Sequence, residues 1–308
     1  MSSPIYGVVP PVITPLTATR EFDEASSQNN INRMLEAGVH GLFILGSSGE
    51  AAFTTDAMRE RILASALAVN SGRVPVLAGV IDTQTARVIE HVRVAERLGA
   101  NGIVATAPFY ALGGYEQVEQ HFREIRNITD LPIFAYDIPV CVNRTKLPPS
   151  LLLKLADDGV IQGVKDSSGD DVSFRQLVLA NRQAQRKMAL LTGHEIVVDA
   201  AYLSGANGSV PGLANVDPHG YVRQWNAYQE GDWTTVRVEQ DRLADLMTIV
   251  EAAQNLAGYG AGVGAFKTAL MLLGVIATNE MPIPVRKLAG EEITAIATIL
   301  ERNGLSLP

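Results

Sequence analysis

Residues 159–170 read "GVIQGVKDSSGD". An apolar run from Val160 to Val164 ends on Lys165, and the chain turns polar at once. Short continuous apolar runs of this kind are the pattern of a strand buried on both faces, as in a parallel sheet covered by helices. The pattern recurs as "YGVVPPVI" (6–13), "GLFILG" (41–46), "VPVLAGV" (74–80), "GIVATA" (102–107), "LPIFAY" (131–136), "VIQGVK" (160–165), "ALLTG" (189–193) and "GSVPG" (208–212). None alternates as a half-solvated strand would.

Amphipathic stretches lie between the runs. Residues 56–70, "DAMRERILASALAVN", put Met58, Ile62, Ala66 and Val69 on one helical face and Arg59 and Glu60 off it. Residues 84–98 and 115–128 have the same periodicity. Each ends near Gly, Asn or Asp and feeds the next strand, twice through a proline, Pro75 and Pro132. Strand–helix alternation at this pitch marks βα units and a parallel sheet. Eight runs by residue 212 point to a closed (β/α)8 TIM barrel, with an open doubly wound sheet as the alternative. Such a barrel takes about 250 residues. Beyond residue 215 the pattern is helical only, at 217–230, 232–253, 262–276 and 290–303, with "NLAGYGAGVGAF" (255–266) read as a glycine-rich bend. Residues 1–215 therefore carry the barrel strands and most barrel helices. Residues 216–308 carry the last barrel helix and a C-terminal helical extension, with no linker to divide one structural unit.

The chain has 308 residues, 47% of them hydrophobic, and a net charge of −8. That supports a large core and argues against a nucleic-acid surface, since no cluster of Lys and Arg stands out. One cysteine, Cys141, excludes an intrachain disulfide framework and a cysteine zinc site. The five histidines are scattered without close metal-ligand spacing, so no metal is expected. The start, "MSSPIYGVVPPVITPL", has no basic segment followed by an apolar one and is not read as a signal peptide. No apolar run is long enough to span a membrane. A cytoplasmic location is expected.

In a TIM barrel the active site lies at the C-terminal ends of the strands, where Lys165 falls. Of the six lysines it alone closes an apolar strand. Lys267, in "GAFKTAL", is the nearest rival, and its helical setting suggests a packed stem with its head in water. An amine desolvated in an apolar mouth can attack a carbonyl and form a Schiff base. The competing reading is a strand-end lysine paired with Asp166. Other strand ends add to the first reading. "GSSGE" (46–50) offers backbone N–H groups with Ser47 and Ser48 to a small anion such as a carboxylate. "AYDIP" (135–139) puts Tyr136 one strand from Lys165, suited to proton transfer. "APFYALGG" (107–114) carries Tyr110 on a loop tip. Taken singly, these are a Ser-Gly loop and core or surface tyrosines; together they converge on one chemistry.

The motifs "PPVITPL", "GSSGEAAFTT", "APFY", "YDIP", "GVKDSSGD", "LTGHE" and "GANGSV" together resemble the dihydrodipicolinate synthase / N-acetylneuraminate lyase family of pyruvate-dependent class I aldolases, essentially end to end. The resemblance implies that Lys165 forms the Schiff base with pyruvate and that Tyr136 is the general acid/base. It implies that Ser47 and Ser48 hold the pyruvate carboxylate, with Ser47 also relaying protons to Tyr136. Tyr110 would complete that relay from a neighbouring subunit of a homotetramer built of tight dimers. The backbone near Val210 would face the keto acid, and Ser167, His194 and Glu195 would meet substrate hydroxyls. No cofactor is implied.

The departures bear on substrate. Synthases of the family usually carry an arginine two residues after the proline of the tyrosine motif, where "YDIPVCVNR" has Cys141, with Arg144 three residues on. The usual Asn after the tyrosine is Asp137. The acidic pair typical of the lyases is reduced to Glu195, followed by Ile196. The expected substrate is therefore a 4-hydroxy-2-oxo acid such as a 2-keto-3-deoxy sugar acid, cleaved to pyruvate and an aldehyde. The alternatives are dihydrodipicolinate synthase or N-acetylneuraminate lyase activity, a dehydratase on the same Schiff base, and a keto-acid binder without turnover.

Overall fold

The computed structural model describes residues 5–111, 113–184 and 186–308. Eight strands follow the order of the apolar runs: β1 (Gly7–Val8), β2 (Leu42–Ile44), β3 (Val76–Gly79), β4 (Gly102–Thr106), β5 (Ile133–Asp137), β6 (Gly163–Asp166), β7 (Ala189–Thr192) and β8 (Gly208–Ser209). They form one sheet ordered β1-β8-β7-β6-β5-β4-β3-β2. The pairings from β3 round to β8, and of β8 with β1, are parallel. At the seam, the His40 N–H just before β2 donates to the Val8 carbonyl of β1 at 2.8 Å. The Val8 N–H in turn meets His40 Nδ1 at 3.3 Å. The ends of the sheet thus meet, and the fold is a (β/α)8 TIM barrel with C-terminal helices.

The chain divides into two compact units that interleave in sequence. The first (Met1–Val9, His40–Phe43 and Pro75–Pro211) holds the strands, save Ile44, with α3 (Thr85–Leu98), α4 (Tyr115–Ile128), α5 (Pro149–Asp157), α6 (Asp171–Gln183) and α7 (Val198–Ser204). Inside its sheet Val9, Phe43, Leu77, Val104, Phe134, Tyr136, Leu191 and Val210 pack into one apolar cluster. Burying each large side chain contributes about 1.5–3 kcal/mol. Strand residues alternate between faces, so Phe134 and Tyr136 of β5 face inward while Asp137 faces the helices. On β6 Gly163 and Lys165 face inward. A Cβ at Gly163 would stand 2.2 Å from the Phe134 ring, so the missing side chain makes room for that ring beneath Lys165.

The second unit (Pro10–Val39, Ile44–Val74 and Gly212–Pro308) holds α1 (Glu24–Glu36), α2 (Asp56–Asn70), α8 (Pro218–Glu230), α9 (Trp233–Met247), α10 (Gly258–Leu272) and α11 (Glu291–Arg302). Side-chain caps start several of these helices. Thr55 accepts the Met58 N–H at 3.3 Å for α2, Asp217 that of Gly220 for α8, and Asp232 that of Thr235 for α9. Buried Asn215 ties the unit together, accepting from Ile13 N–H and Asn30 and donating to Pro11 and Gly212 carbonyls.

Three sequence expectations need correction. The strand bearing Lys165 does not end there but runs on to Asp166. The glycine-rich segment read as a bend is helical from Gly258 onward, so α10 covers 258–272 rather than 262–276. Its long buried face, Val263 to Leu270, outweighs the low helix propensity of glycine. The stretch 232–253 is α9 followed by a 3₁₀ turn at Thr248–Ala252, not one helix.

His121 of α4 is buried, with Nδ1 2.9 Å from Thr85 Oγ1. Burial pushes its imidazole down to about 4 from 6.5. An unfolded chain takes up a proton below pH 6.5 that the native state refuses until about pH 4. This contribution to stability is therefore intact above pH 6.5 and is lost as the pH falls toward 4. Denaturant titrations at pH 7 and pH 4 should show His121→Gln losing about 3 kcal/mol less than the wild type over that interval. Equal losses would show that His121 does not titrate this way.

Candidate active site

Parallel pairing of β5 with β6 sets Tyr136 opposite Lys165 and Asp137 opposite Asp166. The first pair faces the barrel interior. Lys165 is only 4% exposed, and its Nζ lies 4.0 Å from the Tyr136 ring centroid and 4.9 Å from that of Phe43. The two rings meet edge to face, 6.3 Å apart at 82°. Among the described residues the Lys165 amino group has no ion-pair or hydrogen-bond partner. Ring faces offer a cation some attraction but no hydrogen-bond acceptor of the strength of a carboxylate. The amino group thus sits in the barrel interior against two rings, with no anion to hold it.

Asp166 does not compensate Lys165, because it faces the other side of the sheet. Its Oδ1 accepts from the Ser168 N–H at 2.9 Å and Ser168 Oγ at 2.7 Å. Fully buried Asp137 pairs with Lys146, and its Oδ1 accepts the Leu147 N–H at 3.1 Å. Burial pushes the Asp137 carboxyl up, opposed by its bonds to Lys146 and Leu147. Lys146 Nζ also stands 3.8 Å from Asp166 Oδ2. One ammonium thus bridges two carboxylates behind the strand ends. It anchors the loop after β5, where Asn143 and Arg144 both take left-handed backbone conformations (φ 53° and 63°). Asn143 Nδ2 donates to the Phe109 carbonyl, tying this loop to the one after β4.

The remaining residues of the sequence reading are placed as follows. Ser167 Oγ and Lys165 Cε both lie against Gly193, and the Ser167 N–H donates to the Asp137 carbonyl at 2.9 Å. The Val210 N–H is taken by the Thr192 carbonyl at 2.7 Å. His194 borders a small cavity with Asp166, Asp171 and Thr192, its Nδ1 3.5 Å from Asp171 Oδ1. Glu195 is half-buried at the start of a 3₁₀ turn. Tyr110 is 87% exposed on the loop after β4. Cys141 and Arg144 are exposed.

Ser47 and Ser48 belong to the second unit, half-buried in the turn after β2. Leu45 and Glu50 bracket this turn with φ of 61° each. Thr14 Oγ1 donates to the Gly49 carbonyl at 2.7 Å. A Cβ at Gly49 would meet Leu45 N and Val12 O at 3.0 Å, so only glycine lets the turn close this tightly. Among the described residues no three His, Cys, Asp or Glu side chains converge as metal ligands would.

Sequence reasoning missed two polar clusters. Lys146 closes no apolar run and so does not stand out in the sequence, although its neighbour in space, Asp137, departs from the family pattern. Lys267 was expected to keep its head in water. Instead it is completely buried, donating to Glu50 Oε2 at 2.7 Å and to the Glu280 carbonyl at 3.0 Å. The signal was present: its helical neighbours at i±3 and i±4 are Val263, Gly264, Leu270 and Met271, with no polar side to face solvent.

A buried lysine near the end of the sixth strand of a (β/α)8 barrel stands beside a fifth-strand tyrosine. The family is fixed by comparison. The Dihydrodipicolinate synthetase family model matches residues 4–303, and the chain belongs to that family. It is a carbon–carbon lyase. The chain is 33% identical to an uncharacterized DapA-like lyase of Halobacterium salinarum, over 98% of this chain and 95% of that one. It is 29% identical to a 4-hydroxy-tetrahydrodipicolinate synthase of Methanoculleus marisnigri, over 97% and 99% of the two chains. Among solved structures, YagE, a prophage protein of E. coli K12 determined in complex with pyruvate, superposes with TM-score 0.91 at 26% identity, covering 98% and 99%. Dihydrodipicolinate synthase of Bacteroides thetaiotaomicron superposes with TM-score 0.91 at 28% identity, covering 98% and 100%.

The Asp137–Lys146 pair yields a direct test. Lys146→Met strands a buried carboxylate and should cost about 2–4 kcal/mol in denaturant unfolding. Adding Asp137→Asn should recover at least half of that loss. A double variant no more stable than the single one would show that the pair is not the anchor.

Proposed function

We propose that this protein is a Schiff-base, pyruvate-dependent aldolase that cleaves or forms a 4-hydroxy-2-oxo acid such as a 2-keto-3-deoxy sugar acid. The observation that carries the reading is the Lys165 amine, buried against the Tyr136 and Phe43 rings with no counterion among the described residues. The Lys165 amine adds to the C2 carbonyl, and loss of water leaves an iminium that withdraws electrons from C3. Tyr136, as phenolate, takes the proton of the C4 hydroxyl. The C3–C4 bond breaks, its electrons pass into the enamine, and an aldehyde leaves. Reprotonation at C3 and hydrolysis return pyruvate and the free amine.

Family membership and the "GSSGE" motif support Ser47 and Ser48 as the carboxylate anchor, with Ser47 in the proton relay. They also support Tyr110 as the relay's last member, given across a subunit interface of a cytoplasmic homotetramer. The backbone near Val210 faces the keto acid in this reading, and Ser167, His194 and Glu195 meet substrate hydroxyls. The exposed Cys141 where a synthase has arginine supports the sugar-acid branch over the synthase activity.

A panel of 4-hydroxy-2-oxo acids tests the function. Cleavage should release pyruvate and an aldehyde in equal amounts. Loss of water without pyruvate would make the enzyme a dehydratase and overturn the aldolase reading. With the best substrate, Tyr136→Phe should cut turnover by about 10²–10⁴-fold while the pyruvate adduct still forms; unchanged turnover would remove Tyr136 from proton transfer. Mixed oligomers of Tyr110→Phe and Lys165→Ala should regain activity that neither variant has alone. Failure of well-mixed oligomers to do so would place Tyr110 outside its neighbour's site.

A further inference from the structure

The Ser47-Ser48 turn ends on Glu50, a non-glycine residue in a left-handed conformation (φ 61°, ψ 28°) and only 2% exposed. Such a backbone costs free energy and persists only where the surroundings fix it. Two side chains of α10, more than two hundred residues away in sequence, supply the constraint. Lys267 donates to Glu50 Oε2 at 2.7 Å, and the Tyr259 hydroxyl donates to Oε1. The Tyr259 ring stacks on Phe53, just after the turn, at 4.7 Å between centroids and 22°. Lys267 is held in turn by the Glu280 carbonyl at 3.0 Å, and the Glu280 side chain is clamped between Arg20 and Lys287 at 3.1 and 2.9 Å. Burial pushes the Glu50 carboxyl up and the Lys267 amine down, while their mutual attraction opposes both shifts. Lys267 is fully buried and Glu50 nearly so, so neither charge can turn to solvent in place of its partner.

We infer that Lys267 and Tyr259 are positioning residues for substrate-carboxylate binding, acting through Glu50 to hold the 46–50 turn in the geometry that presents Ser47 and Ser48. The inference rests on the proposed role of that turn as carboxylate anchor. It assigns a purpose to the C-terminal helices that the barrel does not itself need: α10 is the brace of an anion turn. The pair gains little stability by itself, because a buried ion pair repays about what its desolvation costs. Its value is a fixed direction for the turn's hydroxyl and N–H donors.

The test uses cyanoborohydride trapping of the full-length protein with pyruvate, read as adduct formed against pyruvate concentration. Lys267→Met, Lys267→Met with Glu50→Gln, and the milder Tyr259→Phe are compared with the wild type. Lys267→Met should raise the half-saturating pyruvate concentration about tenfold to a hundredfold, the effect of weakening charge-assisted bonds to a carboxylate. The limiting trapping rate at saturating pyruvate should stay within a few-fold of wild type, because Lys165 is untouched. Tyr259→Phe should shift half-saturation in the same direction by a smaller factor, and it remains informative if the lysine variants do not fold. A fall in limiting rate with unchanged half-saturation would overturn the inference, as would wild-type saturation in every folded variant. Absence of any adduct in the wild type would overturn the aldolase reading and this inference together, whereas a normal wild-type curve matched by all variants overturns this inference alone.

Discussion

The register of β5 against β6 governs both faces of this site. Because Tyr136 pairs with Lys165 and Asp137 with Asp166, a one-residue slip of either strand would turn its inward side chain, the amine or the phenol, out toward the helices. The alternation that sends Tyr136 and Lys165 into the barrel sends the two aspartates behind it. There Lys146 bridges them and fixes the loop after β5. The inward Lys165–Tyr136 pair and the Lys146 bridge behind it are therefore built on adjacent residues of the same two strands. Neither can be displaced without the other.

Three lysines, Lys165 and Lys267 buried and Lys146 half-buried, show how environment assigns roles to one side-chain type. Lys146 and Lys267 each meet a buried carboxylate, and their charge is spent on holding a loop or a turn. Lys165 meets two aromatic faces instead. Among the described residues no carboxylate holds its amino group, so the side chain is not committed to bracing a loop or a turn. The difference lies in what the neighbouring strands present, not in depth, since Lys267 is the more buried of Lys165 and Lys267.

The strand pattern was legible because every barrel strand is buried on both faces, which leaves unbroken apolar runs. The bounds of helices 56–70 and 115–128 were readable to the residue, although Arg59, read as lying off the apolar face of the first, is buried. The glycine-rich start of α10 was not readable. Its helicity comes from tertiary packing that overrides propensity, and local composition carries no trace of that. Lys165 and Tyr136 could be singled out because they close or nearly close apolar strands. The Lys146 bridge and the Glu50–Lys267–Tyr259 cluster depend on contacts between distant segments, which one sequence does not display. The apolar surroundings of Lys267 in its helix hinted at burial but not at its partner.

The central claim is that Lys165 alone among the six lysines is an activated amine. Borohydride reduction in the presence of pyruvate, followed by peptide mass mapping, tests it most directly. The account predicts a single reduced adduct, on the peptide carrying Lys165. An adduct spread over several lysines, or none at all, would show that the amine is not activated and that the chain shares the family's fold without its Schiff-base chemistry.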